Sequence, residues 1–243
     1  MKTVLITGAN KSIGFETAKQ LAAQGHKVYV GSRDLQKGEA AVAQLKELGG
    51  EHVEAVQIDI TDPQSVRAAS ETVSRQEGQL DILINNAGIS GGTDQAPSSV
   101  PTEEIRKVFD TNFFGTIDVT QAFMDLLKKS DQPRIVNVTS GLGSLTLVNE
   151  TWWADIILAA YTPSKTALNA YTNALARELR DTAFKVNVVD PGYTATDFNN
   201  HSGPGTVEDA GAIIVKYALI GEDGPTGKFF SNDAEGESDE CPW

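Results

Sequence analysis

The chain has 243 residues, 40% of them hydrophobic and 22% charged, enough for one globular domain with a large core that needs no disulfide or metal to hold it. A formal net charge of -13 argues against a nucleic-acid backbone or an anionic membrane surface as partner. A lone cysteine, Cys241, excludes an internal disulfide, and three scattered histidines, His26, His52 and His201, argue against a zinc site of the His/Cys kind, so no metal is expected.

Short apolar runs alternate with longer helical patterns along the chain. Val4 to Ile6 reads as a buried strand and 12–24 as a helix stopped at Gly25. Val28 to Val30 is the second strand, followed by a helix over 36–48 that ends at Gly49-Gly50. Val53 to Ile58 is the third strand, and a helix starts near Pro63. Leu80 to Ile84 reads as the fourth strand, and one long helix is expected from Thr102 to Lys129. Arg134 to Val138 is the fifth strand, 161–180 a helix, and Lys185 to Val189 the sixth strand. A helix over 207–218 and a short strand near Phe229-Phe230 finish the pattern. The acidic end DAEGESDECPW reads as a solvated tail. Strand-then-helix repetition predicts parallel pairing, with near-continuous apolar strands buried on both faces. The expected fold class is therefore α/β: a single domain over 1–243, a doubly wound parallel sheet of the Rossmann type with helices on both faces. No apolar run approaches the roughly 20 residues of a membrane span. The start MKTVLITG lacks the long apolar stretch and cleavage site of a signal peptide. The expected location is the cytoplasm.

Ligands of such sheets bind outside the carboxyl ends of the strands. TGANKSIG, Thr7 to Gly14, lies there, at a strand-to-helix turn. Its glycines let backbone N–H groups approach a pyrophosphate, and the following helix start favours the anion. Further short motifs fall at later strand ends: IDITD with Asp59, NNAG from Asn85 to Gly88, RIVNVTS ending in Ser140, YTPSK from Tyr161 to Lys165, and DPGYTAT from Asp190 to Thr196. Asn112 sits in DTNFFGT.

This ordered set resembles the short-chain dehydrogenase/reductase family over almost the whole chain. The first loop departs from the family's TGxxxGxG by carrying Ser12 for the middle glycine. The 21-residue step from Ser140 to Tyr161 is similar to the carbonyl-reductase-like branch. The resemblance implies cofactor contacts at Gly8, Asn10, Lys11, Ser12, Ile13, Gly14, Asp59, Ile60, Asn86, Ala87, Gly88, Pro191, Gly192, Thr194 and Thr196, with Asp59 taking the adenine amino group. It implies a catalytic set of Asn112, Ser140, Tyr161 and Lys165, with Tyr161 and Lys165 also touching the cofactor and Asn112 completing a proton relay through water.

The chemistry of that set follows from the residues. Tyr161 and Lys165 are four apart, which puts both on one helix face. A phenol of ordinary pKa near 10 is a poor proton shuttle at neutral pH. A nearby ammonium is expected to pull it down toward the working range of a general acid–base. Hydride transfer between NADPH and a carbonyl carbon, with Tyr161 protonating the oxygen and Ser140 hydrogen-bonding it, is the implied reaction.

The second strand ends in VGSRD. Ser32 stands where an NAD enzyme places an acid, and Arg33 and Lys11 supply cations for a 2′-phosphate, so NADP is the expected cofactor. Asp34 would become the NAD acid if the register moved by two. Substrate loops are expected near 141–160 and 193–206, with Ser140, Trp152, Trp153 and Tyr193 facing a hydrophobic ketone or aldehyde; the same aromatics would also suit a subunit interface. A homodimer or homotetramer is expected. The competing readings are a reductase of a sterol or sugar and a non-catalytic NADP-binding sensor.

Overall fold

The computed structural model describes residues 1–92, 94–150, 152–234 and 238–243, without the side chains of Trp152 and Trp153. Its strands are β1 (Thr3–Ile6), β2 (Lys27–Ser32), β3 (Val53–Gln57), β4 (Ile82–Asn85), β5 (Arg134–Val138), β6 (Lys185–Asp190) and β7 (Phe229–Ser231). They form one parallel sheet in the order β3-β2-β1-β4-β5-β6-β7. The helices are α1 (Ser12–Ala23), α2 (Leu35–Glu47), α3 (Pro63–Glu77), α4 (Thr102–Phe109), α5 (Thr116–Leu127), α6 (Leu147–Glu150), α7 (Tyr161–Glu178) and α8 (Val207–Ala218). This is the doubly wound α/β fold that the alternation implied.

Side chains alternate across each strand, so one strand serves both layers. In β1, Val4 and Ile6 pack with Leu21 of α1, Leu45 of α2 and Ile214 of α8. Leu5, between them, packs on the other face with Val73 of α3, Phe123 of α5 and Leu175 of α7. Local signals set the helix starts. Asp34 caps α2 by accepting from Lys37 N, and Asp62 caps α3 ahead of Pro63. Strand order reverses between β1 and β4, which opens a crevice at their carboxyl ends.

Three expectations are corrected. The fourth strand is Ile82–Asn85 rather than Leu80 to Ile84, because Leu80 N and Asp81 N bond to Leu126 O and Thr3 O on the approach to the sheet. The continuous helix over 102–129 is broken by a π-turn, Asp110–Gly115, between α4 and α5. That extra residue is accommodated where β3 leads into Ile60: a Cβ on Gly115 would stand 2.7 Å from Ile60 O and 3.1 Å from Asp110 O. The tail is not simply solvated. Ser231 N donates to Asp239 O at 2.9 Å and Cys241 N to Phe229 O at 2.8 Å, with an antiparallel bridge between Phe230 and Glu240. The tail thereby covers hydrogen-bonding groups that the edge strand β7 would otherwise expose.

Candidate active site

The loop after β1 is shaped by left-handed residues. Gly8 has φ 65° and Ser12 has φ 55°. The substitution of serine for glycine therefore leaves the backbone turn intact, and Ser12 carries the strain of a non-glycine residue there. Gly14, in the first turn of α1, packs against the NNAG motif: a Cβ on it would lie 2.5 Å from Asn86 Nδ2 and 2.7 Å from Gly8 O. Asn86 Nδ2 donates to Thr7 O (2.9 Å) and Gly8 O (3.2 Å), while Thr7 Oγ1 accepts from Asn86 N and Ala87 N, both at 3.0 Å. NNAG thus locks the first loop in shape. Asn10, Ser12 and Ile13 are half-buried on it and Lys11 is exposed. Lys11 Nζ reaches across to Asp197 Oδ2 at 3.0 Å. Backbone N–H groups around two left-handed residues at a helix start are the donor set that a pyrophosphate fits.

Asp59 Oδ1 accepts from Thr61 N (3.0 Å) and Thr61 Oγ1 (2.7 Å), which leaves Asp59 half-buried beside buried Ile60 at the same end of the sheet. At the end of β2, Ser32 is buried and its hydroxyl donates to Asp34 O at 2.7 Å. Arg33 is exposed, and Asp34 is engaged as the cap of α2.

The four proposed catalytic residues come together from three parts of the chain. Ser140 follows β5, and its Oγ accepts from Leu142 N at 3.2 Å. Tyr161 opens α7 and is buried, close enough to Ser140 for that hydroxyl to favour its ionised form. Lys165, one turn on, donates from Nζ to Val138 O at 2.9 Å, with Nζ 5.7 Å from the Tyr161 ring centre. Asn112, in the π-turn, is fully buried. Its Oδ1 accepts from Ile89 N (2.8 Å), and its Nδ2 donates to Ile89 O (2.9 Å) and Ser164 Oγ (3.0 Å). The Asn112 amide therefore ties the loop after β4 to α7. Gly88 closes the ring: a Cβ there would be 3.2 Å from Asn112 Oδ1 and 3.6 Å from Lys165 Nζ.

One electrostatic expectation is reversed. Burial pushes the Tyr161 phenol well above its ordinary range, the Asp190 carboxylate adds to the rise, and the Ser140 hydroxyl opposes it. Lys165 is itself buried, and desolvation lowers it to about 8 against the pull of Asp190. The four-residue spacing gave the ammonium's position. It could not give the desolvation of both groups, which is the larger effect.

Beyond β6, Pro191 is buried and Gly192 takes φ 81°. Thr194 Oγ1 donates to Gly192 O at 3.2 Å, and Thr196 forms a capping box with Asn199. These two threonines therefore shape the loop itself. Tyr193 N donates to Asp233 Oδ2 at 2.8 Å and its hydroxyl to Ser202 Oγ at 2.8 Å. Around Tyr161 lies an apolar cluster of Leu142, Leu147, Val148, Ile156, Leu158 and Tyr193. Phe198 approaches the Tyr161 ring at 5.5 Å between centres. The side chains of Trp152 and Trp153, expected at the substrate end, lie outside the described residues.

Two residues that sequence reasoning passed over shape the site. Gln95, buried, accepts through Oε1 from Ala160 N (2.9 Å) and Tyr161 N (3.1 Å). Its Nε2 donates to Ser90 O and Gly92 O. Nothing in the polar stretch around it marks it out. Asp190 stands in the quoted DPG motif, and only its burial reveals a charge beneath Lys165 and Tyr161.

A dinucleotide-type loop, a bracing NNAG and a Ser–Tyr–Lys cluster with Tyr161 and Lys165 buried, all at the carboxyl ends of the strands, define an oxidoreductase of the nicotinamide-dinucleotide class. The chain belongs to the short-chain dehydrogenase family, whose match spans residues 2–206. It is 33% identical to (+)-neomenthol dehydrogenase of Capsicum annuum, over 93% of this chain and 94% of that protein. It is likewise 33% identical to salutaridine reductase of Papaver bracteatum, over 95% of this chain and 94% of the relative. Among solved structures, salutaridine reductase from Papaver somniferum superposes with a TM-score of 0.84 at 33% identity, covering 96% of this chain and 100% of that one. NADPH-bound carbonyl reductase from chicken fatty liver gives 0.85 at 26% identity, covering 100% and 99%.

Proposed function

We propose that the protein reduces a hydrophobic ketone or aldehyde to an alcohol with NADPH, reversibly. The observation that carries this reading is the buried Tyr161 phenol one helix turn from buried Lys165, whose Nζ is anchored on Val138 O, within an apolar wall and beside the Ser140 loop. The bound nicotinamide supplies the hydride. The rest belongs to the chain. Ser140 donates a hydrogen bond to the substrate oxygen as negative charge develops on it. Tyr161, kept neutral by burial, gives that oxygen its proton. Lys165 supplies positive charge to the pair, and Asn112 fixes the geometry through Ile89 and Ser164, beside the path by which water refills the proton.

Arg33, exposed at the end of β2, and Lys11 on the first loop favour a 2′-phosphate. Asp34 is held as a helix cap, which argues against its acting as the acid for an NAD ribose. Gly8, Asn10, Ser12, Ile13 and Gly14 would cradle the pyrophosphate, Asp59 and Ile60 the adenine, Asn86 to Gly88 the ribose, and Pro191 to Thr196 the nicotinamide side. Leu142, Leu158 and Phe198 suit an apolar substrate. A cytoplasmic homo-oligomer completes the reading. No helix among the described residues is long and apolar enough to cross a membrane.

The test is steady-state coenzyme oxidation with a panel of aliphatic, cyclic and aromatic ketones, run with NADPH and with NADH. Turnover with NADPH and apolar ketones is the expected result. Tight NADPH binding with no turnover on any carbonyl would establish the sensor reading instead.

A further inference from the structure

Lys165 and Asp190 are both almost fully buried, 4% and 3% exposed. A buried charge is tolerated only where another charge or several hydrogen bonds answer it. The two sit at adjacent strand ends. Lys165 Nζ is anchored on Val138 O, the last residue of β5, at 2.9 Å. Val138 is paired with Val189 of β6, and Asp190 is the next residue.

Asp190 is held as an anion would be held. Its Oδ2 accepts from Ser231 Oγ at 2.7 Å and its Oδ1 from Gly192 N at 3.1 Å. Those contacts join the Pro191–Gly192 turn and the end of β7 to one carboxylate. Among the described titratable groups, Lys165 and Tyr161 of α7 and Cys241 of the tail feel its charge, and Asp233 in the turn after β7 acts on it.

We propose that Asp190 is the counter-charge of Lys165, a positioning residue that keeps the ammonium charged and thereby sets the protonation state in which the Lys165–Tyr161 pair works. The energetics agree. Burial raises Asp190 to about 6, with the Ser231 and Gly192 hydrogen bonds opposing that rise. At neutral pH the carboxylate is therefore mainly charged. Burial lowers Lys165 to about 8, and Asp190 is the group that resists the fall. Without it, the lysine would hold its charge less firmly.

The inference concerns the chain's own residues, and it rests on the reductase reading only for its effect on turnover. The test is isotope-edited NMR of labelled lysine Cε, with the Lys165 signal assigned by its loss in Lys165→Met. In Asp190→Asn the Lys165 midpoint is expected to fall by about one pH unit, and the pH limb of ketone reduction should move down with it. Ser231→Ala keeps the charge but removes one donor. There the midpoint of Asp190, read from labelled aspartate, should rise, and a matching step should appear in the Lys165 signal. A Lys165 midpoint unchanged in folded Asp190→Asn overturns the proposal. If that variant does not fold, a Lys165 signal in Ser231→Ala that ignores the Asp190 step overturns it. A Lys165 shift without hydride transfer on any carbonyl would defeat the reductase reading and leave the charge pairing standing.

Discussion

Gln95 Oε1 accepts from the backbone N–H of Tyr161 at 3.1 Å and from that of Ala160 at 2.9 Å. The first N–H groups of a helix have no partner within it, and at α7 a buried amide from the loop after β4 supplies one. The same side chain ties down Ser90 O and Gly92 O, so it fixes where the catalytic helix begins. Gln95→Leu is expected to lower kcat ten- to a hundredfold, as small displacements of a reacting group do, while the KM for NADPH moves little. Tyr161→Phe sets the scale: it removes the proton donor and should lower kcat by about 10²–10⁴ with coenzyme affinity retained. Equal loss of coenzyme binding and turnover in Gln95→Leu, measured by coenzyme fluorescence titration beside initial rates, would show general collapse of the site instead.

On the proposed reading, coenzyme choice turns on Arg33. A hydrogen bond to a charged group contributes about 1.5–3 kcal/mol, and 1.4 kcal/mol is tenfold in affinity. Arg33→Ala should therefore raise the KM for NADPH at least tenfold and leave that for NADH nearly unchanged. Lys11→Ala should have a smaller effect, because its exposed pairing with Asp197 already engages the ammonium and such pairs contribute little to stability. A preference for NADH in the parent protein would refute the assignment of both cations.

Ser12 holds φ 55°, a conformation that disfavours an L side chain by roughly 1–2 kcal/mol. Glycine removes that strain but loses more freedom on folding, roughly 0.5–1 kcal/mol. Ser12→Gly should thus stabilise the protein by up to about 1 kcal/mol, a rise in Tm of roughly 2–4 °C for a chain this long. Gly14→Ala is the contrast: its Cβ would lie 2.5 Å from Asn86 Nδ2 and 2.7 Å from Gly8 O, so Tm should fall. Differential scanning calorimetry of both variants decides the matter.

Most of the strand ends carrying the site could be placed from sequence because two periodicities and the glycines agree there. Val4 to Ile6 is apolar throughout, since it is buried on both faces, and TGANKSIG follows at the helix start. Asp110–Gly115 was not legible as a π-turn, because DTNFFG continues a helical pattern and the close approach of Gly115 to Ile60 O, in the turn after β3, is a long-range contact. Gln95 was invisible for the same cause: its partners lie 65 and 66 residues away. The sign of the Tyr161 shift failed differently. Sequence placed the cation correctly, but the desolvation that outweighs it depends on packing by Leu142 and the loops around α7.

The buried charges also give the protein a pH signature that needs no substrate. Asp190 is raised from the ordinary 3.8 to about 6, so the folded state holds that proton more tightly than the unfolded chain does. Its contribution is fully present below about 3.8 and is lost as pH rises through about 6. Lys165 is lowered from 10.5 to about 8. Its contribution is present above 10.5 and is lost as pH falls through about 8. Between these windows the folded protein carries both charges in its interior, and each costs some stability. Asp190→Asn removes the acidic window and moves the Lys165 response to lower pH. The Tm of the parent should therefore fall relative to Asp190→Asn as pH is raised from 4 to 7, with the gap closing again toward pH 4. Thermal melts across that range in a constant-ionic-strength buffer measure it directly. Parallel Tm curves between pH 4 and 7 would mean that Asp190 titrates in the folded protein as it does in the unfolded chain.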